Sequence, residues 1–274
     1  MSLKLIKYSI VWIFILFCYQ TSAQFDTNKK IDSLINSSIK KQNFPGAQLF
    51  VKIKDSIVIN KSYGYQTYDS IRAVKNTHLY DLASLTKVLA STFSIMKLYD
   101  ENKLKLSDKL SFYFKDLRRS NKKHTTLFQS LSHTSGWIPY ISHQNFINKK
   151  DGTLKKSVMR EIESNRFSTK INENLFLRNT YSKKIFKRIK KSQINSVNEY
   201  EYSGLFFFYV PLLVEKVSGL KFEKYFRVNI VGKKNISLLF NPTNSFNREF
   251  IVPTEYDSLF RKKLIHGYVH DEAA

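Results

Sequence analysis

One helix constrains this chain more than any other segment. Between Leu82 and about Tyr99, the residues Leu85, Val88, Leu89, Thr92, Ile95, Met96 and Tyr99 recur at steps of three and four, the period of a helix that buries one continuous face. Asp81 stands where an N-terminal cap or a favourable first-turn charge belongs. The first turn carries YDLASLTK, residues 80–87, which sets Ser84 and Lys87 one turn apart on neighbouring faces. Lys97 falls late in the helix, between stripe positions, where a solvated charge fits. The Ser-x-x-Lys spacing alone selects nothing. It recurs at Ser37/Lys40, Ser38/Lys41, Ser94/Lys97, Ser120/Lys123 and Ser218/Lys221, so only the surroundings can single out Ser84.

Before this helix, Asp26 to Lys41 places Ile31, Leu34, Ile35 and Ile39 at helical spacing, and Phe44-Pro45-Gly46 ends the pattern. Gln48–Lys54 and Ser56–Ser62 read as two strands joined by a tight turn near Lys54-Asp55, a β-hairpin. After it, Leu104 to Asp108 opens a segment leading to Phe112-Tyr113-Phe114. Thr125–Ser132 predicts a short helix ending at His133-Thr134-Ser135-Gly136. Gln144 to Asn198 is long and basic, with few firm signals. Leu205 to Gly219 is an apolar helix stopped by glycine, with Pro211 in its first turns or kinking it. Its length, with Glu215 and Lys216 inside, predicts a core helix rather than a membrane span. Eight glycines and five prolines in 274 residues leave little room for long flexible linkers.

The N-terminus reads as an export leader. Lys4 and Lys7 precede an apolar run from Tyr8 to Phe17, and Thr21-Ser22-Ala23 offers small residues to a signal peptidase, which predicts cleavage before Gln24 and a periplasmic or secreted protein. The run is short for a bilayer span. Cys18 is a weak site for a lipid anchor because Phe17 occupies a small-residue position. Cleavage removes Cys18, the only cysteine, leaving no disulfide and no thiol chemistry. The formal charge of +23 falls to +21 with the loss of the two leader lysines. Such a field favours anionic partners; for an exported chain these are cell-envelope polymers or lipid head groups. No nucleic-acid motif is present, and the basic residues are scattered as on a solubilising surface.

Several segments fall in a family order. YDLASLTK at 80–87, LSHTSGW at 131–137, EYSGLFFFYVPLLVEKVSG at 201–219 and HGYVHDEAA at 266–274 together resemble the serine β-lactamase-like family. They look most like its branch of class C β-lactamases, D-alanyl-D-alanine carboxypeptidases and related esterases. FPGAQLFVKIKDSIVINKSYGYQTYD at 44–69 is similar to that family's first hairpin, and MKLYDENKLKLSD at 96–108 to the end of its nucleophile helix. The resemblance runs from about Ile31 to the last residue. It implies an α/β (α+β) fold, an antiparallel sheet flanked by helices plus an all-helical region over about 82–220, in one domain after the leader. It implies a small-molecule or peptidoglycan-like substrate and no cofactor.

Carried over by motif, Ser84 is the acylated nucleophile, Lys87 the base that activates it, and Tyr202 the phenol that shuttles a proton between serine and leaving group. A serine hydroxyl needs such a base at neutral pH, and a lysine serves when burial and nearby cations disfavour its charged form. His133 belongs to a structural turn in this resemblance. His266 and His270 lack a third ligand for a metal.

Two departures stand out. Gly204 occupies the position of the family's Tyr-x-Asn amide, so that side chain is not there to bind substrate or orient the lysine. The Lys/His-Ser/Thr-Gly strand is absent, since Lys216-Val217-Ser218-Gly219 ends a helix. The chain therefore resembles a C-terminally truncated member, whose hairpin is left with an uncovered face and edge. Two readings stay open: an exported serine hydrolase cleaving an ester, a D-Ala-D-Ala-type peptide or a β-lactam through an acyl-enzyme, and an inactive remnant or cationic envelope-binding protein.

Overall fold

A computed structural model describes residues 27–232 and 236–271. The predicted leader, with Cys18 and the cleavage position expected at Ala23, lies outside the described residues. The chain forms two compact units, one up to Leu79 and one from Tyr80 onward.

In the first unit, a helix over residues 27–40 (α1) precedes β1 (Gly46–Ile53) and β2 (Ser56–Gly64). The two strands pair antiparallel, from Gly46 opposite Gly64 to Ile53 opposite Ser56, with a bulge at Val51/Lys52. The hairpin thus closes through the two residues Lys54 and Asp55, and Lys54 takes a left-handed conformation with φ of 53°. Asp32 of α1 accepts hydrogen bonds from Lys61 Nζ at 2.8 Å and the Tyr63 hydroxyl at 2.7 Å, which ties helix to hairpin. Gly64 is required at the junction: its φ is +62°, and a Cβ would meet the Pro45 carbonyl at 2.3 Å. Phe50, Ile53 and Ile57 remain exposed on the hairpin.

The second unit is mixed α and β. The helix after Ser84 begins with a π-wound segment, Lys87–Thr92, and continues as α2 (Phe93–Asp100). Then come α3 (Leu110–Tyr113), α4 (Leu127–Leu131) and α5 (Gln144–Ile147). Strands β3 (Met159–Arg160), β4 (Thr169–Asn172) and β5 (Leu175–Leu177) form an antiparallel sheet in the order β3-β5-β4. Helices α6 (Tyr181–Lys191), α7 (Val210–Ser218) and α8 (Phe222–Phe226) follow, and β6 (Tyr256–Asp257) pairs with β7 (Lys263–Leu264). The interval 82–220 is therefore not helical throughout. Its basic, weakly patterned stretch folds as a small sheet whose middle strand, Leu175–Leu177, is wholly buried.

Local chemistry explains several boundaries. Thr126 and Gln129 form a reciprocal capping box at the start of α4, satisfying two N–H groups that helix geometry leaves free. Pro211 lies in the first turn of α7, where its missing N–H costs nothing. Gly219 ends that helix with φ of 75°.

The long helix shows the main departure from the sequence pattern. Leu85, Val88, Met96 and Tyr99 are about half exposed, and the buried set is instead Ala90, Ser91, Ser94, Ile95 and Leu98. Over α2 the buried face sits one residue earlier than the apolar stripe. Ile95 and Leu98 join Val210, Leu213, Val214, Tyr225 and Phe226 in one core. Periodicity counts large apolar residues, whereas three of the five buried here are small. Among the described residues, no helix is long and apolar enough to cross a membrane.

A buried cation closes this core. Lys122 is fully buried, donates to the Ser192 carbonyl at 2.6 Å and to Asn121 Oδ1 at 3.1 Å, and lies 5.4 Å from the Trp137 ring centre. Ser192 is the C-cap of α6, so the ammonium meets the negative end of a helix. Burial pushes its pKa down to about 8. Between that value and the ordinary lysine value of about 10.4, the unfolded chain binds the extra proton, so stability rises with pH across this window. The Tm of the protein is expected to climb from about pH 8 to about pH 9.5, inside that window, and Lys122→Met to flatten the slope. A wild-type Tm that falls over this interval refutes the assignment.

Candidate active site

The turn that presents Ser84 begins with a carboxylate. Asp81 Oδ1 accepts from the Ala83 N–H at 2.9 Å, and Ala83 adopts φ of 44°, a left-handed conformation that costs a residue with a Cβ about 1 kcal/mol or more. Asp81 Oδ2 accepts from the His270 N–H at 3.1 Å, so the turn is held from a position far along the chain. Arg261 anchors that distant segment: it pairs with Asp257 at 3.1 Å and donates to the carbonyls of Val269 and Asp271 at 2.9 and 2.7 Å.

From Ala83 the backbone winds tightly. Thr86 N–H donates to Ala83 O and Lys87 N–H to Ser84 O, and the chain then loosens into the π-wound segment. Thr92 Oγ1 donates to the Lys87 carbonyl at 2.8 Å. Irregular winding of this kind is frequent at functional sites. Its result is that Lys87 Nζ donates to Ser84 Oγ at 2.9 Å.

Tyr202 arrives from the loop before Leu205. Gly204 N–H donates to Pro139 O at 3.0 Å, and Ser203 Oγ donates to Ile138 O at 2.8 Å, fastening the loop to the segment after His133. The Tyr202 hydroxyl then donates to Ser84 Oγ at 3.3 Å. Ser84, Lys87 and Tyr202, the three residues read from the sequence, therefore meet at one oxygen. The Lys87 ammonium also lies 5.7 Å from the ring centres of both Tyr202 and Phe207, a distance at which the ring faces attract it.

His133 serves as a platform. Its Nδ1 accepts from the Ser203 N–H at 3.2 Å, which puts the proton of the neutral ring on Nε2, and it packs against the Tyr202 ring at 4.7 Å. Burial and the Lys87 charge lower its pKa. For Tyr202, burial acts to raise the pKa, but the hydrogen bonds to Ser84 and Lys87 and the Lys87 charge outweigh it. The phenol ends below its ordinary value.

These groups border a cleft of about 430 Å³ with an apolar wall of Leu82, Leu85, Val88, Leu131 and Phe207. Part of the apolar stripe thus lines the cleft instead of the core. Ser84 is exposed and Lys87 half-buried, so the site is more open than the buried face predicted for this helix. Gly204 sits on its rim at an ordinary φ of −80°, and a Cβ there would lie 3.7 Å from Lys87 Cε. Neither backbone nor crowding demands glycine.

His266 and His270 do not act together: His266 Nε2 lies against the carbonyls of Arg248 and Ile251 at 2.9 and 2.7 Å, and His270 pairs with Glu255 at 2.8 Å. Among the described residues no three His, Cys, Asp or Glu side chains gather as a metal site would require. The tie from Asp81 to His270 is invisible in the sequence, because a backbone N–H leaves no residue-type signal.

A serine and a lysine at the start of a helix, with a tyrosine from a distant loop at the same oxygen, have the arrangement of an activated-serine site. The Beta-lactamase family profile matches residues 31–247, and the chain belongs to that family. It is 26% identical over 203 residues to Protein flp of Staphylococcus aureus (strain COL), covering 73% of this chain and 35% of that one. It is 27% identical over 282 residues to a protein of Salmonella heidelberg (strain SL476) named as a candidate D-alanyl-D-alanine carboxypeptidase, covering 91% and 59%. Among solved structures, a class C beta lactamase aligns with TM-score 0.62 at 16% identity, over 89% of this chain and 58% of that one. The octameric penicillin-binding protein homologue from Pyrococcus abyssi aligns with TM-score 0.61 at 20% identity, over 89% and 51%. The chain thus spans between about a third and three fifths of the length of these relatives.

The left-handed turn generates a test of its own. Asp81→Ala is expected to cost roughly 1 kcal/mol, the scale of one hydrogen bond, and Ala83→Gly to recover most of it because glycine takes that φ freely. Urea unfolding of the two single variants and the double variant reads the coupling. Strictly additive effects would refute the role of Asp81 in holding Ala83.

Proposed function

We propose that this protein is a serine hydrolase that forms an acyl-enzyme on Ser84. The observation that carries the reading is the convergence of Lys87 Nζ and the Tyr202 hydroxyl on Ser84 Oγ, at 2.9 and 3.3 Å. In this scheme the Ser84 proton passes to ionised Tyr202, held beside the Lys87 ammonium, or to Lys87 in its unprotonated form, as Oγ attacks a carbonyl. The Tyr202–Lys87 pair then returns a proton to the leaving group. The lowered pKa of Tyr202 suits a group that must give and take a proton. Water repeats the same steps to release the acyl group.

The substrate class is an ester, a D-Ala-D-Ala-type peptide or a β-lactam. The ester leads because Gly204 offers no amide to a substrate, while the apolar wall of the cleft suits an acyl chain. The leader at residues 1–23 accounts for an exported protein acting outside the cytoplasm. Expression in an exporting host is expected to yield a mature chain starting at Gln24. N-terminal sequencing that reads Met1 or Ser2 would end that part of the reading.

A fluorophosphonate probe tests the chemistry. Labelling of the 274-residue chain is expected, with its loss in Ser84→Ala and a fall of roughly 100-fold or more in rate for Lys87→Ala, the scale of general-base catalysis. The labelling rate should rise with pH, with a midpoint below the ordinary phenol value of about 10, and Tyr202→Phe should remove that rise. Folded protein that takes no label, or label that persists in Ser84→Ala, sinks the proposal.

A further inference from the structure

The stretch from Gln144 to Asn198 carries fourteen Lys and Arg against four Asp and Glu, and α6 concentrates them. Its eleven residues include Lys183, Lys184, Lys187, Arg188, Lys190 and Lys191, with no acid among them. Among the described residues none of the six takes part in a salt bridge. Like charges three and four positions apart destabilise a helix by about 0.2–0.5 kcal/mol per pair, so α6 stands under self-repulsion that no ion pair offsets. Its apolar residues Tyr181, Ile185 and Ile189 are buried.

The cations are also ordered. Lys184, Lys187 and Lys191 follow one another at steps of three and four and line one face for about two turns, roughly 10 Å. Beside them Arg188 is fixed in place. Its guanidinium lies 3.8 Å from the Phe146 ring centre, and its NH1 donates to the Tyr181 hydroxyl at 2.8 Å and to His143 Nδ1 at 3.4 Å. His143 is itself buried, with Nε2 lacking a hydrogen-bond partner. Burial and the Arg188 charge lower the pKa of His143, against Asp271, which acts to raise it. Lys187, Arg188 and Lys191, with Ser192, border a shallow cleft of about 360 Å³ whose remaining wall is Ile141 and Phe146.

We propose that α6 is a docking surface for a linear polyanion, a polymer of repeated phosphate groups. Successive anions lie along Lys184, Lys187 and Lys191, and one of them enters the cleft beside Arg188. An arginine already stacked and hydrogen-bonded loses little side-chain entropy on binding an anion. A bilayer surface is disfavoured, because a membrane-lying helix offers an apolar face to the lipid and the apolar face of α6 is turned into the core. This surface includes none of Ser84, Lys87 and Tyr202, so the proposal does not rest on the hydrolase reading.

The test uses the full chain, with fluorescent long-chain polyphosphate and fluorescent poly-L-glutamate as probes, followed by anisotropy across a salt series. The variant K184E/K187E/K191E is compared with K40E/K54E/K105E, which removes the same charge at lysines elsewhere on the surface. K184Q/K187Q/K191Q stands in if the first variant does not fold by circular dichroism. The α6 variant is expected to bind polyphosphate at least about tenfold more weakly, with a salt slope shallower by about two to three, near one unit for each anionic group no longer neutralised. The control should weaken binding by no more than about threefold, the residual effect of net charge. Equal weakening in both variants would show attraction by net charge alone and overturn the proposal. So would failure of the wild type to bind polyphosphate at low salt, or binding only to poly-L-glutamate or to vesicles of phosphatidylglycerol and phosphatidylcholine.

Discussion

The hydrogen bond from Ala83 N–H to the Asp81 carboxylate, with the left-handed backbone it secures, is what the rest of the site depends on. A chain entering a helix in ordinary conformations would point its first side chains along the helix surface. The reversal at Ala83 makes Ser84 stand out from the helix start while Lys87, one turn on, still reaches its oxygen. The same carboxylate accepts from His270 N–H, and Arg261, paired with Asp257, fixes the backbone around His270. A strained residue persists only where its surroundings over-determine it. Here three charged side chains and two distant segments do so, and the geometry of Ser84 is a tertiary property.

The same principle separates what the sequence discloses from what it conceals. Ser84, Lys87 and Tyr202 are legible because their residue types and motif order are distinctive, and the fold brings all three to one oxygen. The hairpin is legible because alternation and a two-residue turn are local. Gly219 and the Thr126–Gln129 box are legible because capping chemistry lies within a few residues. The register of α2 is not. Its apolar stripe satisfies the helical period, yet part of that stripe lines the cleft, and the core packing passes through Ala90, Ser91 and Ser94. Two faces compete for the core, and the one that carries Ala90, Ser91 and Ser94 is the buried one. The sheet of β3, β4 and β5 escapes a reading by pattern because strands of two to four residues are too short to show a period.

The electrostatics of the cleft form one unit. Lys87 donates to the serine, faces two aromatic rings and disfavours a proton on His133. His133, kept neutral, supports the Tyr202 ring without adding a second cation beside it. Tyr202 ionises more readily because Lys87 is near. Each group therefore sets the protonation preference of another. This also gives the histidine in the HTSG turn a physical reason to be an aromatic with a ring nitrogen: it packs against the phenol and accepts the Ser203 N–H that fixes the tyrosine loop.

The lysines of this chain show why a net charge of +23 says little until each cation is placed. Lys122 meets the end of a helix inside the core, where burial weakens its hold on a proton. Lys87 is occupied by a hydroxyl and two rings. Lys61 binds Asp32 and so joins a helix to a hairpin. The cations of α6 are different, since they lie on a rigid element, repel one another, and form no ion pair among the described residues. A diffuse solubilising charge needs neither a stacked arginine nor a cleft between its lysines. Where a fold keeps both, the repulsion is best understood as the cost of a surface that waits for anions.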